Sequence, residues 1–201
     1  MTLETHIAKL LLVSKFKLYI SARCTYSPFY SQSVDKLGNV WGGKHILYIN
    51  APIEDLWKYS KNTIDNDNPV WFGCDVGKSS SLKKRGIMST KIFDYELVFG
   101  TTLNQSKKER LQYKESEMTH AMVFTGYDLY KDEVKPRKWR VENSWGTDRG
   151  DNGYDLMTAE WFDEHMYQVI VDKSILSPEH LAVLDETPIV LPAWDPMGSL
   201  A

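Results

Sequence analysis

His120 and Asn143 are the two residues whose types and surroundings could do chemistry together. His120 stands in Met118-Thr119-His120-Ala121-Met122, and Asn143 in Glu142-Asn143-Ser144-Trp145-Gly146. A thiol attacks an amide carbonyl well only as a thiolate. A nearby imidazole takes the thiol proton and later gives it to the leaving amine. The imidazole in turn needs a third group to hold its ring and tautomer, and an asparagine carboxamide can do this. A single histidine on a strand commonly serves packing, and an asparagine before Ser-Trp-Gly can simply open a turn. Together, on neighbouring strands, they point to two members of a Cys-His-Asn site.

The elements that must position this pair follow from pattern. Residues 118–127 are rich in β-formers, and residues 138–145 alternate apolar and polar. Asp128 to Arg137 between them is polar and contains Pro136, so the segment reads as two antiparallel strands joined by a loop. An odd-sum register puts His120 and Asn143 on one face, whereas an even-sum register separates them. The same-face register is expected, with Trp139, Val141 and Trp145 sharing that face and Trp145 covering the His-Asn hydrogen bond.

Around this pair the pattern predicts a helix over residues 1–24, a loop over 25–43, and a strand over Lys44–Ile49. A helix over about 51–64 is expected to be capped by Asn50, with Pro52, Glu54 and Asp55 in its first turn. Val70–Cys74 reads as a buried strand and 77–91 as an exposed loop. Ser106 with Glu109 matches a capping box opening a helix near 107–112. Tyr154–Met157 and Tyr167–Asp172 read as strands, with a helix at 159–165 capped by Thr158. A last helix is expected near 178–186. Pro188, Pro192 and Pro196 make 187–201 an extended arm, with Ile189, Val190, Leu191, Trp194 and Met197 too apolar to be left in water.

Thr119-His120-Ala121-Met122 followed by Trp139-Arg140-Val141-Glu142-Asn143-Ser144-Trp145-Gly146 resembles the papain-like cysteine peptidases. VWFGCDVGK at 70–78, ELVFG at 96–100 and the ending LPAWDPMGSLA narrow the resemblance to the bleomycin-hydrolase family of aminopeptidases. The resemblance runs from about Leu37 to Ala201. It implies an α+β papain-like fold, present in part: a β-rich portion with an extended arm, without the helical portion that carries the nucleophile. It also implies thiol-dependent hydrolysis of peptide amides from the N-terminus, bleomycin's amide included. His120 would be general base and acid, Asn143 its orienter and Trp145 its cover. The Ala201 carboxylate would meet the substrate's free amine. The family needs no metal or organic cofactor, assembles as a homohexamer and works in the cytoplasm.

The family's nucleophile lies in a motif of the form Gln-x-x-x-x-x-Cys-Trp, whose Gln helps form the oxyanion hole. Cys24 is followed by Thr25 and preceded six residues earlier by Leu18, so it does not match. Cys74 ends an apolar run and reads as a small core residue. No nucleophile is recognised, and the expected organisation is a divergent segment over 1–24, the partial peptidase domain over 25–186 and the arm over 187–201. The chain alone is expected to be inactive and poorly soluble. The alternative is a non-catalytic truncated subunit that binds full-length partners.

Composition agrees with an ordinary globular chain: 201 residues, 42% hydrophobic, 25% charged, net charge −3. The charge balance gives no sign of nucleic-acid binding. Lys83-Lys84-Arg85 and Lys107-Lys108 read as solvated surface. Two cysteines form neither a disulfide framework nor a zinc pattern. The Leu10–Val13 run, with Lys9, Lys15 and Lys17 about it, is too short and charged to span a membrane.

Overall fold

Alternation of apolar and polar residues along the chain becomes one extended sheet with helices packed on it. A computed structural model of the chain describes residues 17–21, 29–38, 42, 46–77, 81–82 and 85–199. Among these, the strands are β1 (Lys17–Ser21), β2 (Tyr30–Val34), β3 (Tyr48–Asn50), β4 (Val70–Cys74), β5 (Ser81–Leu82), β6 (Ile87–Met88), β7 (His120–Asp128), β8 (Lys138–Glu142), β9 (Tyr154–Thr158), β10 (Met166–Asp172) and β11 (Ile189–Leu191). They lie in the order β11-β2-β3-β1-β10-β4-β7-β8-β9-β6-β5. The middle of the sheet, from β10 through β9, is antiparallel throughout.

The helices are α1 (Ile53–Asp65), α2 (Tyr95–Phe99), α3 (Lys107–Gln112), α4 (Ala159–His165) and α5 (Pro178–Ala182). The larger core sets Leu56 and Trp57 of α1 and Trp161 and Phe162 of α4 against Phe72, Met122, Phe124, Trp139 and Val169 of the sheet. Phe72 stacks on Phe124 at 4.0 Å between centroids, and Trp139 on Phe162 at 5.2 Å. A second cluster gathers Val34, Tyr48, Leu111, Met118, Tyr167, Leu191 and Met197. Strand β10 feeds both clusters, since Val169 and Val171 belong to the larger and Tyr167 to the smaller. That explains its near-continuous apolar run.

Several helix ends follow the expected chemistry. Ser106 and Glu109 make the reciprocal capping box of α3, Thr158 accepts from the Trp161 N–H at α4, and Ser177 accepts from the His180 N–H at α5. Helix α5 passes into a 3₁₀ turn at Val183–Asp185.

Other expectations are corrected. Within the segment expected to be a helix over 1–24, Lys17–Ser21 is a strand. It is paired on one side with β10 and on the other with β3, so sheet pairing overrides the helical pattern there; residues 1–16 and 22–24 lie outside the described residues. Within the expected loop 25–43, Tyr30–Val34 is a strand, and within 77–91 Ile87–Met88 pairs with β9 and buries Met88. Asn50 does not cap α1. It ends β3, buried, and Pro52 holds the N-cap position without a side-chain hydrogen bond. Lys107 is not a merely solvated charge: its ammonium donates to the carbonyls of Asp163 and Met166 and lies 5.0 Å from the centre of the Tyr167 ring. Lys83 and Lys84 lie outside the described residues.

The arm, expected to be extended over 187–201, is extended at Ile189–Leu191 only. Beyond Pro192 it turns, and Pro196–Gly198 is a 3₁₀ helix whose N-cap Asp195 accepts from the Met197 N–H. Ile189–Leu191 adds to β2 in parallel, and Met197 is fully buried in the second cluster. Beyond it the Ser199 hydroxyl donates to the Met118 carbonyl at 2.7 Å, two residues before His120.

Candidate active site

The site grows from the first residue of β7. Strand β7 pairs with β8 so that Val123 faces Glu142 and Phe124 faces Val141, an odd-sum register. Continued toward the start of β7, this register sets His120 diagonally beside Asn143 on the same face. A bulge between Phe124 and Gly126 then shifts the pairing to Gly126 with Arg140 and Tyr127 with Trp139. The bulge changes which β7 residues face the core while β8 keeps its own phase. Phe124 is in phase with His120, and Trp139 with Asn143, so the odd-sum segment already sets Phe124 near Trp139 and His120 near Asn143 on one face. The bulge brings Tyr127 to that face as well.

His120 Nε2 lies 3.0 Å from Asn143 Oδ1. The Ser144 N–H also donates to Asn143 Oδ1, at 2.8 Å, so the amide's oxygen end faces the ring. Nε2 therefore donates, and in the neutral ring Nδ1 is left as the basic nitrogen. Trp145 lies over the imidazole, 4.5 Å between centroids and 20° from parallel. Trp145 is 42% exposed and His120 half-buried, so the indole forms an outer wall that keeps water from one face of the ring.

Two residues that sequence reasoning did not single out complete the cluster. The Asn143 amide donates from Nδ2 to Asp155 Oδ2 at 2.8 Å. Arg149 Nε sits 3.0 and 3.2 Å from the two oxygens of the same carboxylate. The Arg149 guanidinium then stacks over the Trp145 ring at 4.3 Å. A signal was present: in the alternating strand Tyr154–Thr158, Asp155 is in phase with the core residue Met157. A carboxylate at an inward position demands a partner.

Cys74 pairs directly with His120 across β4 and β7. Its side chain is fully buried among apolar residues, and no hydrogen bond joins it to His120 among the described residues. Burial, with Asp75 adding to it, pushes the Cys74 thiol well above its ordinary range. Such a thiol stays protonated and is a poor nucleophile. Cys24 and Ala201 lie outside the described residues. No group of metal-binding side chains occurs among the described residues.

A model of the Peptidase C1-like family matches residues 19–198. The chain belongs to the peptidase C1-like family. The match begins earlier than Leu37, where the sequence resemblance starts, and takes in part of β1. The chain is 51% identical over 178 residues to bleomycin hydrolase of Rattus norvegicus, and 49% identical over 178 residues to that of Homo sapiens. Each alignment covers 88% of this chain and 38% of the relative. Aminopeptidase C of Listeria monocytogenes is 46% identical over 169 residues, covering 84% of this chain and 38% of that protein. The crystal structure of PepW from Lactobacillus rhamnosis HN001 aligns with a TM-score of 0.85 at 40% identity, over 90% of this chain and 41% of that one. The α+β, β-rich architecture of this peptidase C1-like chain is thus a partial papain-like fold. The chain spans about 38% of the length of these curated relatives. No helix among its described residues is long and apolar enough to cross a membrane.

Proposed function

We propose that this chain carries the imidazole and carboxamide of a Cys-His-Asn aminopeptidase site, acting on peptide amide bonds from the N-terminus, bleomycin's amide included. The observation that carries the reading is the 3.0 Å contact of His120 Nε2 with Asn143 Oδ1 beneath the Trp145 ring. In this reading Nδ1 of His120 takes the proton of a thiol. The thiolate sulfur bonds to the substrate carbonyl carbon, and the C–N bond breaks as the imidazolium returns the proton to the leaving amine. Water then cleaves the thioester with the same imidazole as base. Asn143 holds the ring and Trp145 shields the pair. No motif assigns the thiol to this chain and Cys74 is a poor nucleophile, so the chain alone is expected to be inactive.

The arm supports the exopeptidase part of this reading. Met197 is buried and Ser199 is bonded to the Met118 carbonyl, so the described arm is fixed beside the start of the His120 strand. By resemblance to the bleomycin hydrolases, the Ala201 carboxylate would pair with the substrate's α-ammonium group. The resemblance to bleomycin hydrolases supports a homohexamer and a cytoplasmic setting. The second reading, a non-catalytic subunit that binds full-length partners, is favoured by one feature. Leu97, Val98 and Phe99 are 79%, 74% and 69% exposed, with Phe93 and Leu103 beside them. Contiguous apolar surface of this kind marks contact sites.

The test is aminopeptidase activity of the purified chain on a fluorogenic amino-acid amide, with a thiol-directed inhibitor and His120→Ala as controls. No turnover is expected. Turnover lost in both controls would mean that a cysteine of this chain completes the site, and the second reading would fall.

A further inference from the structure

We propose that Asp155, clamped by Arg149, is a positioning residue for His120. It fixes the Asn143 carboxamide so that the neutral imidazole is kept as the Nε2–H tautomer with Nδ1 open. The proposal rests on His120 acting as the base.

A carboxylate only accepts hydrogen bonds. The Asn143 atom that faces Asp155 must therefore be the NH2 group, and the oxygen is driven to the opposite side, toward the ring. The Ser144 N–H favours the same orientation. Were the carboxamide turned over, its NH2 would face the ring. Nε2 would then have to accept, and the proton would move to Nδ1, the nitrogen needed as base.

The surroundings hold Asp155 in this task. It is 2% exposed, and Arg149 bridges both of its oxygens. Two glycines close over the carboxylate. Gly150 has φ +57, and a Cβ there would lie 2.1 Å from the Tyr154 carbonyl oxygen and 3.1 Å from Asp155 Oδ1. Gly86 has φ +64, and a Cβ there would lie 2.7 Å from the same Oδ1. Only glycine lets both backbones approach so closely in that conformation. The chain of contacts also returns to its start: Arg149 stacks on Trp145, and Trp145 on His120. Asp155 thereby sets the ring's tautomer through Asn143, and Arg149 sets its tilt through Trp145.

The experiment is ¹⁵N–¹H correlation of the imidazole nitrogens in the unmodified chain, Asp155→Leu and Asp155→Asn, with near-UV circular dichroism as the check on folding. The unmodified chain shows Nε2–H. In Asp155→Leu the ratio of Nε2–H to Nδ1–H in the neutral ring falls about tenfold, the size of one buried hydrogen bond. Asp155→Asn keeps an acceptor oxygen and recovers most of the ratio. A folded Asp155→Leu with an unchanged ratio would overturn the positioning role alone, reducing Asp155 and Arg149 to a buried ion pair. Nδ1–H already dominant in the unmodified chain would overturn the role of His120 as well. Should Asp155→Leu fail to fold, the Asn143 side-chain amide protons of the unmodified chain decide. They are expected to be protected from solvent exchange with one shifted downfield, and exchange like that of a free carboxamide would overturn the proposal.

Discussion

Two buried carboxylates flank strand β7, and they are used in opposite ways. Asp75, at the end of β4, accepts from the Ser116 hydroxyl at 2.7 Å and, at 3.4 Å each, from the Glu117 N–H and the Thr119 hydroxyl. The Tyr167 hydroxyl donates to Ser116 in turn, and burial pushes that phenol up to about 12. Ser116 joins the carboxylate to the phenol, and the network closes on itself. Asp155, on the far side of β7, accepts from Asn143 and Arg149, and its network ends on a half-exposed imidazole. The same buried anion serves a fixed joint in one place and a titratable ring in the other. What differs is whether the last member of the chain of bonds can reach water.

The largest effect that tests this contrast is at Asp75. Asp75→Ala takes the acceptor from the buried Ser116 hydroxyl, and from the Glu117 N–H and Thr119 hydroxyl nearer the surface, and urea denaturation should show a loss of about 3 kcal/mol. The tautomer ratio of His120 should stay where it is. If it moves, the two carboxylates are one network and the contrast fails.

A pH dependence of similar size belongs to the Asp75 side. Burial, with Arg110 and Lys107 nearby, pushes His165 down to about 4, and its carbonyl accepts from the Asp75 N–H. The unfolded chain binds a proton near pH 6.5 that the folded chain refuses until about 4. Stability from this group is therefore complete above the unfolded value and is lost as pH falls between the two, by about 3 kcal/mol in all. Urea midpoints at pH 4.5 and 7 should differ strongly in the unmodified chain and much less in His165→Leu. Equal midpoint shifts in both would remove His165 from the account.

The smallest effect sharpens the Asp155 side. Trp145→Ala removes the two stacking contacts but none of the hydrogen bonds, so a thermal melt should register a loss of about 1 kcal/mol. His120 should keep its Nε2–H tautomer while its ring protons become more accessible to solvent. A lost tautomer would mean that the indole, rather than the carboxylate, sets the ring.

Much of this contrast was legible in the sequence, but unevenly. The β-rich pair carrying His120 and Asn143 and the caps at Ser106 and Thr158 follow from short-range rules that the structure obeys, whereas the arm is extended only at Ile189–Leu191. The strand at Lys17–Ser21 did not, because its conformation is set by partners far away in the chain: β10 and β3 take both its edges. Asn50 was misread for the related reason that a strand claimed it before it could cap a helix. Arg149 and Asp155 were missed because a positioning pair has no motif. Only the phase of Asp155 with Met157 betrays it. The odd-sum register holds where the chemistry is and gives way to an even sum beyond the bulge, which no alternation of residues in β7 announces.

That bulge makes β7 two strands in terms of inheritance. Length changes in the loop after Asp128 reach Tyr127 and Trp139 and stop there, since the pairing restarts at the irregularity. The segment from His120 to Phe124 is insulated from them. Removing Thr125, the extra residue, would leave Phe124 opposite Val141 and Gly126 opposite Arg140, so both registers survive. Removing Val123 instead would move His120 one step along β8 and turn it to the opposite face of the sheet, without touching a polar atom of the cluster. Such a lesion would part His120 from Asn143 from three residues away.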